Sequence, residues 1–309
     1  MNTIEKIRQL ARNKTRRIIL PEYDDERVIE AARIIKLESL AEPLLLTPDK
    51  IDQRERERYI EEYYKLYQAK DVDLGTVKEL FSGTLYYGAM MVREGKAEGL
   101  VAGASHTTPD MARSCIRCIG MDERFTIVSS CFIMDVPDCV YGDNGTFIFA
   151  DCGIIPDPNA RQLSCIALCA AELANKVLGL TARVAFLSYS TKGSAKTRSA
   201  EKIAEALNLL KEQSPSLLAD GEIQADAAIV PEVAKIKCPD SPIGAGANVL
   251  IFPNLEAGNI GYKLVQRLAN ARAVGPLFLG LNKPASDLSR GCSVEDIVDC
   301  AAVTAIRAK

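Results

Sequence analysis

The 309-residue chain is longer than one hydrophobic core usually sustains, which predicts two domains, and its 48% hydrophobic and 26% charged residues place it far from disordered compositions. Lys plus Arg total 38 against 41 Asp plus Glu, so the net charge of -3 excludes a field that would gather nucleic acid or an anionic membrane. A single histidine, His106, excludes a His-rich metal site and leaves carboxylates, Lys and Arg to carry most of any catalysis.

The opening MNTIEKIRQLARNKTRR is charged and amphipathic without the apolar run of a secretion signal, and no later stretch has the length of a membrane span without charges. A cytoplasmic protein is therefore expected. RRIILPE (16–22) reads as a strand, followed by a helix from Asp25 to about Lys36 and a strand over EPLLLTP (42–48). Between Asp52 and Glu98 the pattern predicts two helices, the first densely charged and the second carrying YYGAMMV toward a core. GLVAGA (99–104) is a buried strand. TIVSSCFIMDV and GTFIFADC then flank a Gly-Asp-Asn-Gly turn (142–145), which predicts an antiparallel pair and a change of domain. Strand–helix order resumes with helix Asn159–Leu178, strand RVAFLSYS, helix Ser199–Glu212, strand NVLIFPN and helix Asn259–Leu268. The last helix, Ser293–Arg307, is amphipathic and returns to the first domain. The pattern gives an α/β protein of mostly parallel sheets, with domain I over 1–126 and 282–309 and domain II over 127–281.

The ten cysteines are scattered among apolar helix positions such as Cys165 and Cys169, as expected of small core residues in a reducing compartment. Cys115 and Cys118 have CxxC spacing, but they lie inside a predicted helix and no second pair completes a zinc site.

Three segments share one plan, a buried strand ending in small and hydroxyl residues with a helix at once behind it: VAGASHTTPDMAR, FLSYSTKGSAK and IFPNLEAGNIGYK. Ligands of open α/β sheets collect at such strand ends, where unpaired N–H groups favour anions. STKGSAK lacks the spacing of a nucleotide-triphosphate loop, and GAGAN (244–248) precedes its strand, so neither supports a nucleotide-binding fingerprint. Each loop also reads as a turn with a helix cap. The densest cluster is DLSRGCSVEDIV (287–298), where Ser289, Arg290, Cys292 and Asp296 lie close in the chain and Ser293 with Asp296 has capping-box spacing.

VAGASHTTPDMAR, LSYSTKGSAK, DGEIQADAAIVPEVA, ANVLIFPNLEAGNIGYKLVQRLA and KPASDLSRGCSVEDIV, in this order, resemble the phosphate acetyltransferase family over nearly the whole chain from Arg16. The resemblance implies two α/β domains with an active-site cleft between them, an architecture related to isocitrate and isopropylmalate dehydrogenases. It implies reversible acetyl transfer between acetyl phosphate and coenzyme A, giving acetyl-CoA and phosphate, by a homodimer with no metal and with coenzyme A as substrate, not cofactor. By motif position it makes Asp296 the base that takes the thiol proton, Ser289 a donor at the transition state, and Arg290 and Arg113 the anion and coenzyme contacts. Thr107, Thr108, Ser190, Thr191, Lys192, Asn259, Tyr262 and Cys292 are the further substrate-binding candidates. Direct thiolate attack on an acyl phosphate needs anion binding, an oxyanion donor and one base, which these residue types supply.

The segment between Thr47 and Asp52 is shorter than the family pattern, as though a peripheral helix and strand were missing, and three positions also depart from it. Tyr67 stands where an arginine is expected to hold coenzyme A, and Leu279 and Ser286 stand where Gln and Asn are expected. The latter pair leaves propionyl or butyryl transfer as an alternative. A metal-dependent decarboxylating dehydrogenase and an inactive coenzyme-A-binding regulatory homologue are the alternatives from other classes.

Overall fold

The computed structural model describes residues 2–13, 15–70 and 72–308. In chain order its main elements are α1 (Thr3–Arg12), β1 (Arg17–Leu20), α2 (Glu26–Leu37), β2 (Glu42–Leu45), α3 (Gln53–Tyr67), α4 (Leu74–Leu80), α5 (Thr84–Arg93), β3 (Gly99–Ala102) and α6 (Thr108–Ser114). There follow β4 (Ser129–Asp135), β5 (Thr146–Ala150), α7 (Ala160–Glu172), β6 (Arg183–Leu187), α8 (Arg198–Gln213), β7 (Leu218–Ile223), α9 (Ala225–Ile229) and α10 (Pro231–Lys237). The chain closes with β8 (Val249–Ile251), α11 (Leu255–Leu268), β9 (Arg272–Leu279), β10 (Ala285–Asp287) and α12 (Val294–Arg307). It divides into two compact units. One comprises Ile4–Asp122 and Leu281–Lys309, and the other comprises Glu123–Gly280 with the residues up to Thr3.

In the first unit the strands run β2-β1-β3-β10, all parallel, with Ile18 beside Gly99 and Leu100 beside Ala285. Parallel strands need crossover connections, and α2 supplies the one between β1 and β2. Its start is fixed by Asp25, whose side chain accepts the Arg27 N–H, and its buried face carries Val28, Ala31, Ala32 and Ile35 at helical spacing. α12 is buried almost throughout from Ile297 to Ile306 and packs on α2 and β3. Its approach requires Gly99, because a Cβ there would sit 2.5 Å from the Thr304 methyl. Thr304 donates its hydroxyl to the Cys300 carbonyl at 2.7 Å, so Ser286, 2.7 Å from Thr304 Oγ1, is the donor that ties β10 to α12.

The stretch between Asp52 and Glu98 holds three α-helices, not the two expected. Two side-chain caps mark starts inside it: Asp52 accepts from Arg54 and Glu55 to open α3, and Asp73 accepts from Thr76 to open α4. Gly83 precedes α5 without a side-chain cap. Continuous apolar periodicity across 74–93 hid the break.

In the second unit the strands run β9-β4-β5-β8-β6-β7. β4 is antiparallel to both β5 and β9, the first as the Gly-Asp-Asn-Gly turn predicts, while β5, β8, β6 and β7 are mutually parallel. α11 begins at Leu255, capped by Asn254 on the Ala257 N–H, one turn earlier than expected, so Asn259 lies inside the helix and not at its start. Cys115 and Cys118 are buried free thiols in a π-helical turn, and Cys165 and Cys169 are buried on α7.

Candidate active site

β1 lies between β2 and β3, and the chain leaves β1 to one side before returning on the other. The carboxyl ends of β1 and β3 therefore form a switch point of the kind where open α/β sheets take ligands. Here the position is already filled. Glu22, buried just beyond β1, accepts the backbone N–H groups of Gly103 at 3.0 Å, Ala104 at 2.9 Å, Ser105 at 2.8 Å and His106 at 2.9 Å, and His106 Nδ1 lies 2.8 Å away. Burial pushes the Glu22 carboxyl up, but the bonds from His106 and the backbone outweigh it and hold the group down to about 2. The same hydrogen bond raises His106 above its ordinary value. The N–H run that the sequence marks as an anion site thus holds an internal anion. A cavity of about 270 Å³ opens beside it, lined by Glu22, Asp24, Arg56, Gly83, Thr84 and His106 among others.

The hydroxyls of this loop are also engaged. Thr107 accepts the Asp110 N–H at 3.3 Å and donates to the Asp110 carboxylate at 2.6 Å, capping α6. Thr108 donates to Asp287 Oδ2 at 2.6 Å. Asp287 is fully buried, its Oδ1 has no partner among the described residues, and burial pushes its carboxyl up to about 7. Gly103, at φ +113°, permits this packing, since a Cβ there would lie 2.2 Å from Asp287 Oδ1 and 2.6 Å from the Leu288 nitrogen.

Directly after Asp287 the chain surfaces. Ser289, Arg290 and Gly291 are exposed, Cys292 is 6% exposed, and Ser289 Oγ accepts the Gly291 N–H at 3.3 Å. Burial pushes the Cys292 thiol up to about 11. Ser293 and Asp296 form the expected capping box at the start of α12. Arg27 binds this segment from α2, donating from Nη1 to the carbonyls of Arg290 at 2.9 Å and Cys292 at 3.0 Å. Sequence reading missed Arg27, because a basic residue in the first turn of a charged helix looks like solvated surface. Arg113 is half exposed on α6 and pairs with Asp110 at 3.2 Å. Tyr67 donates its hydroxyl to the Arg117 carbonyl at 3.0 Å, and the Arg117 guanidinium lies 5.4 Å from its ring centre.

The remaining candidates belong to the second unit. There Ser190 donates to Glu222 Oε1 at 2.9 Å, the Gly193 N–H reaches the same oxygen at 2.6 Å, and Thr191 accepts the Gln224 N–H at 3.0 Å. Lys192, in the left-handed region at φ +51°, turns its ammonium onto the buried Asp220 carboxylate. Asp151 repeats the device after β5, accepting the N–H groups of Gly153 at 2.9 Å, Ile154 at 3.2 Å and Ile155 at 3.0 Å. Asn259 donates to the Cys152 carbonyl at 3.2 Å. Tyr262 is 7% exposed with its ring stacked on Phe132 at 3.9 Å, within an apolar cluster that includes Phe149 and Leu250. Among the described residues no group of three His, Cys, Asp or Glu side chains converges as a metal site would require.

The family described as phosphate acetyl/butaryl transferase matches residues 2–305. The chain belongs to that family. Relatives within it include the phosphate acetyltransferase of Thermoanaerobacterium thermosaccharolyticum, 43% identical over all of both chains, and that of Acetivibrio thermocellus, 44% identical over all of this chain and 99% of the other. A phosphotransacetylase from Streptococcus pyogenes has a similar solved structure, with a TM-score of 0.87 at 35% identity, covering 98% of this chain and 97% of that one. Family membership extends through Asp296 and so includes the whole SRGCSVED segment.

Proposed function

We propose that the chain interconverts acetyl phosphate and coenzyme A with acetyl-CoA and phosphate, by direct transfer in a ternary complex. Full-length similarity to phosphate acetyltransferases supports the activity. The geometric observation that carries the mechanism is the Asp296 carboxylate. Its Oδ2 takes both hydrogen bonds from Ser293, and among the described residues no donor reaches Oδ1, which leaves that oxygen available as a base one helical cap after exposed Ser289 and Arg290 in the chain. In the forward step Asp296 takes the thiol proton, the thiolate sulfur attacks the acetyl carbonyl carbon, and the carbon–oxygen bond to phosphate breaks as phosphate leaves with its electron pair. Ser289 donates to the carbonyl oxygen as charge develops there, and Arg290 and Arg113 hold the phosphate and coenzyme phosphates. In this reading Ser190, Thr191, Thr107 and Thr108 serve substrate binding by keeping their loops in shape through the bonds described above, while the contacts of Lys192, Asn259, Tyr262 and Cys292 are internal to the fold and make them supports of the same loops.

Acetyl is the acyl group of this reading, supported by full-length similarity to phosphate acetyltransferases, and both departures that left longer acyl groups as an alternative are buried side chains, Ser286 with its hydroxyl on Thr304 and Leu279 at 5% exposure. We further propose a cytoplasmic homodimer. Ile260, Leu264 and Leu268 form an exposed apolar stripe at helical spacing on α11, a face suited to meeting a second copy. No helix of the described residues is long and apolar enough to cross a membrane. The test is thioester formation, followed by ultraviolet absorbance, from acetyl, propionyl and butyryl phosphates with purified protein. Turnover is expected with acetyl phosphate above the others. Failure to form any thioester would remove the activity, and a butyryl preference would remove the acetyl assignment.

A further inference from the structure

We infer that Arg27 is the positioning residue that fixes the Ser289–Cys292 segment for acyl transfer. The inference rests on the reading of Ser289, Arg290 and Asp296 as the reacting groups. Every N–H of the Arg27 guanidinium has an acceptor within its own unit, so the side chain has no donor left for a substrate. Nε and Nη2 fork onto the two oxygens of Asp25 at 3.0 and 2.6 Å, Nη2 also reaches the Ala104 carbonyl at 3.1 Å, and Nη1 holds the Arg290 and Cys292 carbonyls. Asp25 in turn accepts the Arg27 N–H at 2.9 Å, which anchors the pair to the first turn of α2. One planar group therefore joins three loops: the one after β1, the one after β3 that wraps Glu22, and the exposed Ser289–Ser293 turn.

The turn has little else to hold it. Between Ser289 and Cys292 its own bonds are the Cys292 N–H to the Ser289 carbonyl at 2.8 Å and the Gly291 N–H to Ser289 Oγ at 3.3 Å, the Asp296 cap holds only its last residue, Ser293, and Ser289, Arg290 and Gly291 are exposed. Groups that must meet a developing charge need to be held to within a fraction of an ångström, and two carbonyl anchors from a rigid helix provide that restraint. A lysine cannot replace it, since one ammonium cannot fork onto Asp25 while bridging carbonyls on two other loops.

The experiment compares Arg27→Ala and Arg27→Lys with the unaltered protein. Both variants are expected to lower kcat roughly 100-fold, with smaller changes in KM for either substrate. A second readout follows the segment itself. Cys292 lies 3.8 Å from Arg27 Nη1 and is buried, so its labelling by a thiol reagent, compared at equal thiolate fraction because the guanidinium charge favours the thiolate and read by mass spectrometry on its own peptide, should accelerate in both variants. Unchanged kcat in either variant, or unchanged Cys292 labelling in both, overturns the positioning role. If Arg27→Ala fails to fold, Arg27→Lys, which keeps the charge, carries both measurements. Ser289→Ala, Arg290→Ala and Asp296→Asn are assayed in parallel. Normal turnover in all of them overturns the site reading and the Arg27 role with it, whereas losses there with unaltered Arg27 variants overturn only the latter.

Discussion

Asp296 accepts the backbone N–H and the hydroxyl of Ser293 on one oxygen, Oδ2, each at 2.8 Å, while its own N–H donates back to Ser293 Oγ at 3.2 Å. The cap therefore uses half of the carboxylate, and capping and base catalysis are compatible in one side chain. Asp296→Asn separates them. An amide oxygen still accepts from Ser293, so the helix start should lose at most about 0.5–2 kcal/mol. An amide cannot take a thiol proton, and turnover should fall by roughly 10² to 10⁴ in a folded protein. Near-normal turnover, measured beside a thermal melt, would leave the residue only its cap.

Cys292 is the competing nucleophile, placed between Arg290 and the cap. Burial pushes its thiol up to about 11, with Arg27 only partly opposing, so little thiolate exists at neutral pH. Cys292→Ala should retain most activity, and mass spectrometry of protein incubated with acetyl phosphate should find no acetyl group on this residue. An acyl-Cys292 adduct formed at the rate of turnover would replace direct transfer by a two-step route.

Much of this architecture was legible in the sequence. β1, β3, β5 and β6 are short apolar runs, and the caps Asp25, Asn159 and Ser293 stand at the helix starts. β7 and β10 carry no strand signal in the sequence. β7 carries Asp220 and Glu222 on a buried stretch, and β10 is three residues with buried Ser286 and Asp287, so hydropathy gives no signal where acids are buried by specific partners. β9 is interrupted by Gly275–Pro276, a turn-like pair inside a strand. The site was half legible for the same reason. Small, hydroxyl-rich loops do carry N–H runs, but their acceptors are Glu22 and Glu222, and Glu22 lies more than 80 residues from the loop it fills. Local spacing cannot register such a partner.

Arg113 offers a test of anion binding that is nearly free of stability effects. Its side chain is 48% exposed and its pairing with Asp110, itself 47% exposed, is an i,i+3 surface contact of little net worth. Arg113→Ala should raise the Michaelis constant for coenzyme A or phosphate while shifting stability by no more than about 0.5 kcal/mol. Unchanged constants for every substrate would take Arg113 out of the site.

Asp287 gives a pH-dependent prediction whose sign follows from its burial. Desolvation pushes the folded-state carboxyl up to about 7 from an ordinary value of 3.8, with the charge of Glu22 adding to the rise and the Thr108 hydroxyl and His106 opposing it. The folded protein thus holds this proton more tightly than the unfolded chain. A group of this kind contributes its full stability below the unfolded value and loses it as pH rises through the folded one. The cost should accumulate between about pH 4 and pH 7, approaching roughly 4 kcal/mol at complete linkage. Asp287→Asn imitates the protonated acid, keeps an oxygen for the Thr108 hydroxyl, and removes the titration. The variant should therefore be more stable than the unaltered protein at pH 8, with the advantage shrinking toward pH 5. Denaturant melts at the two pH values measure it, and an advantage that stays constant or grows on acidification would show that Asp287 is ionised in the fold.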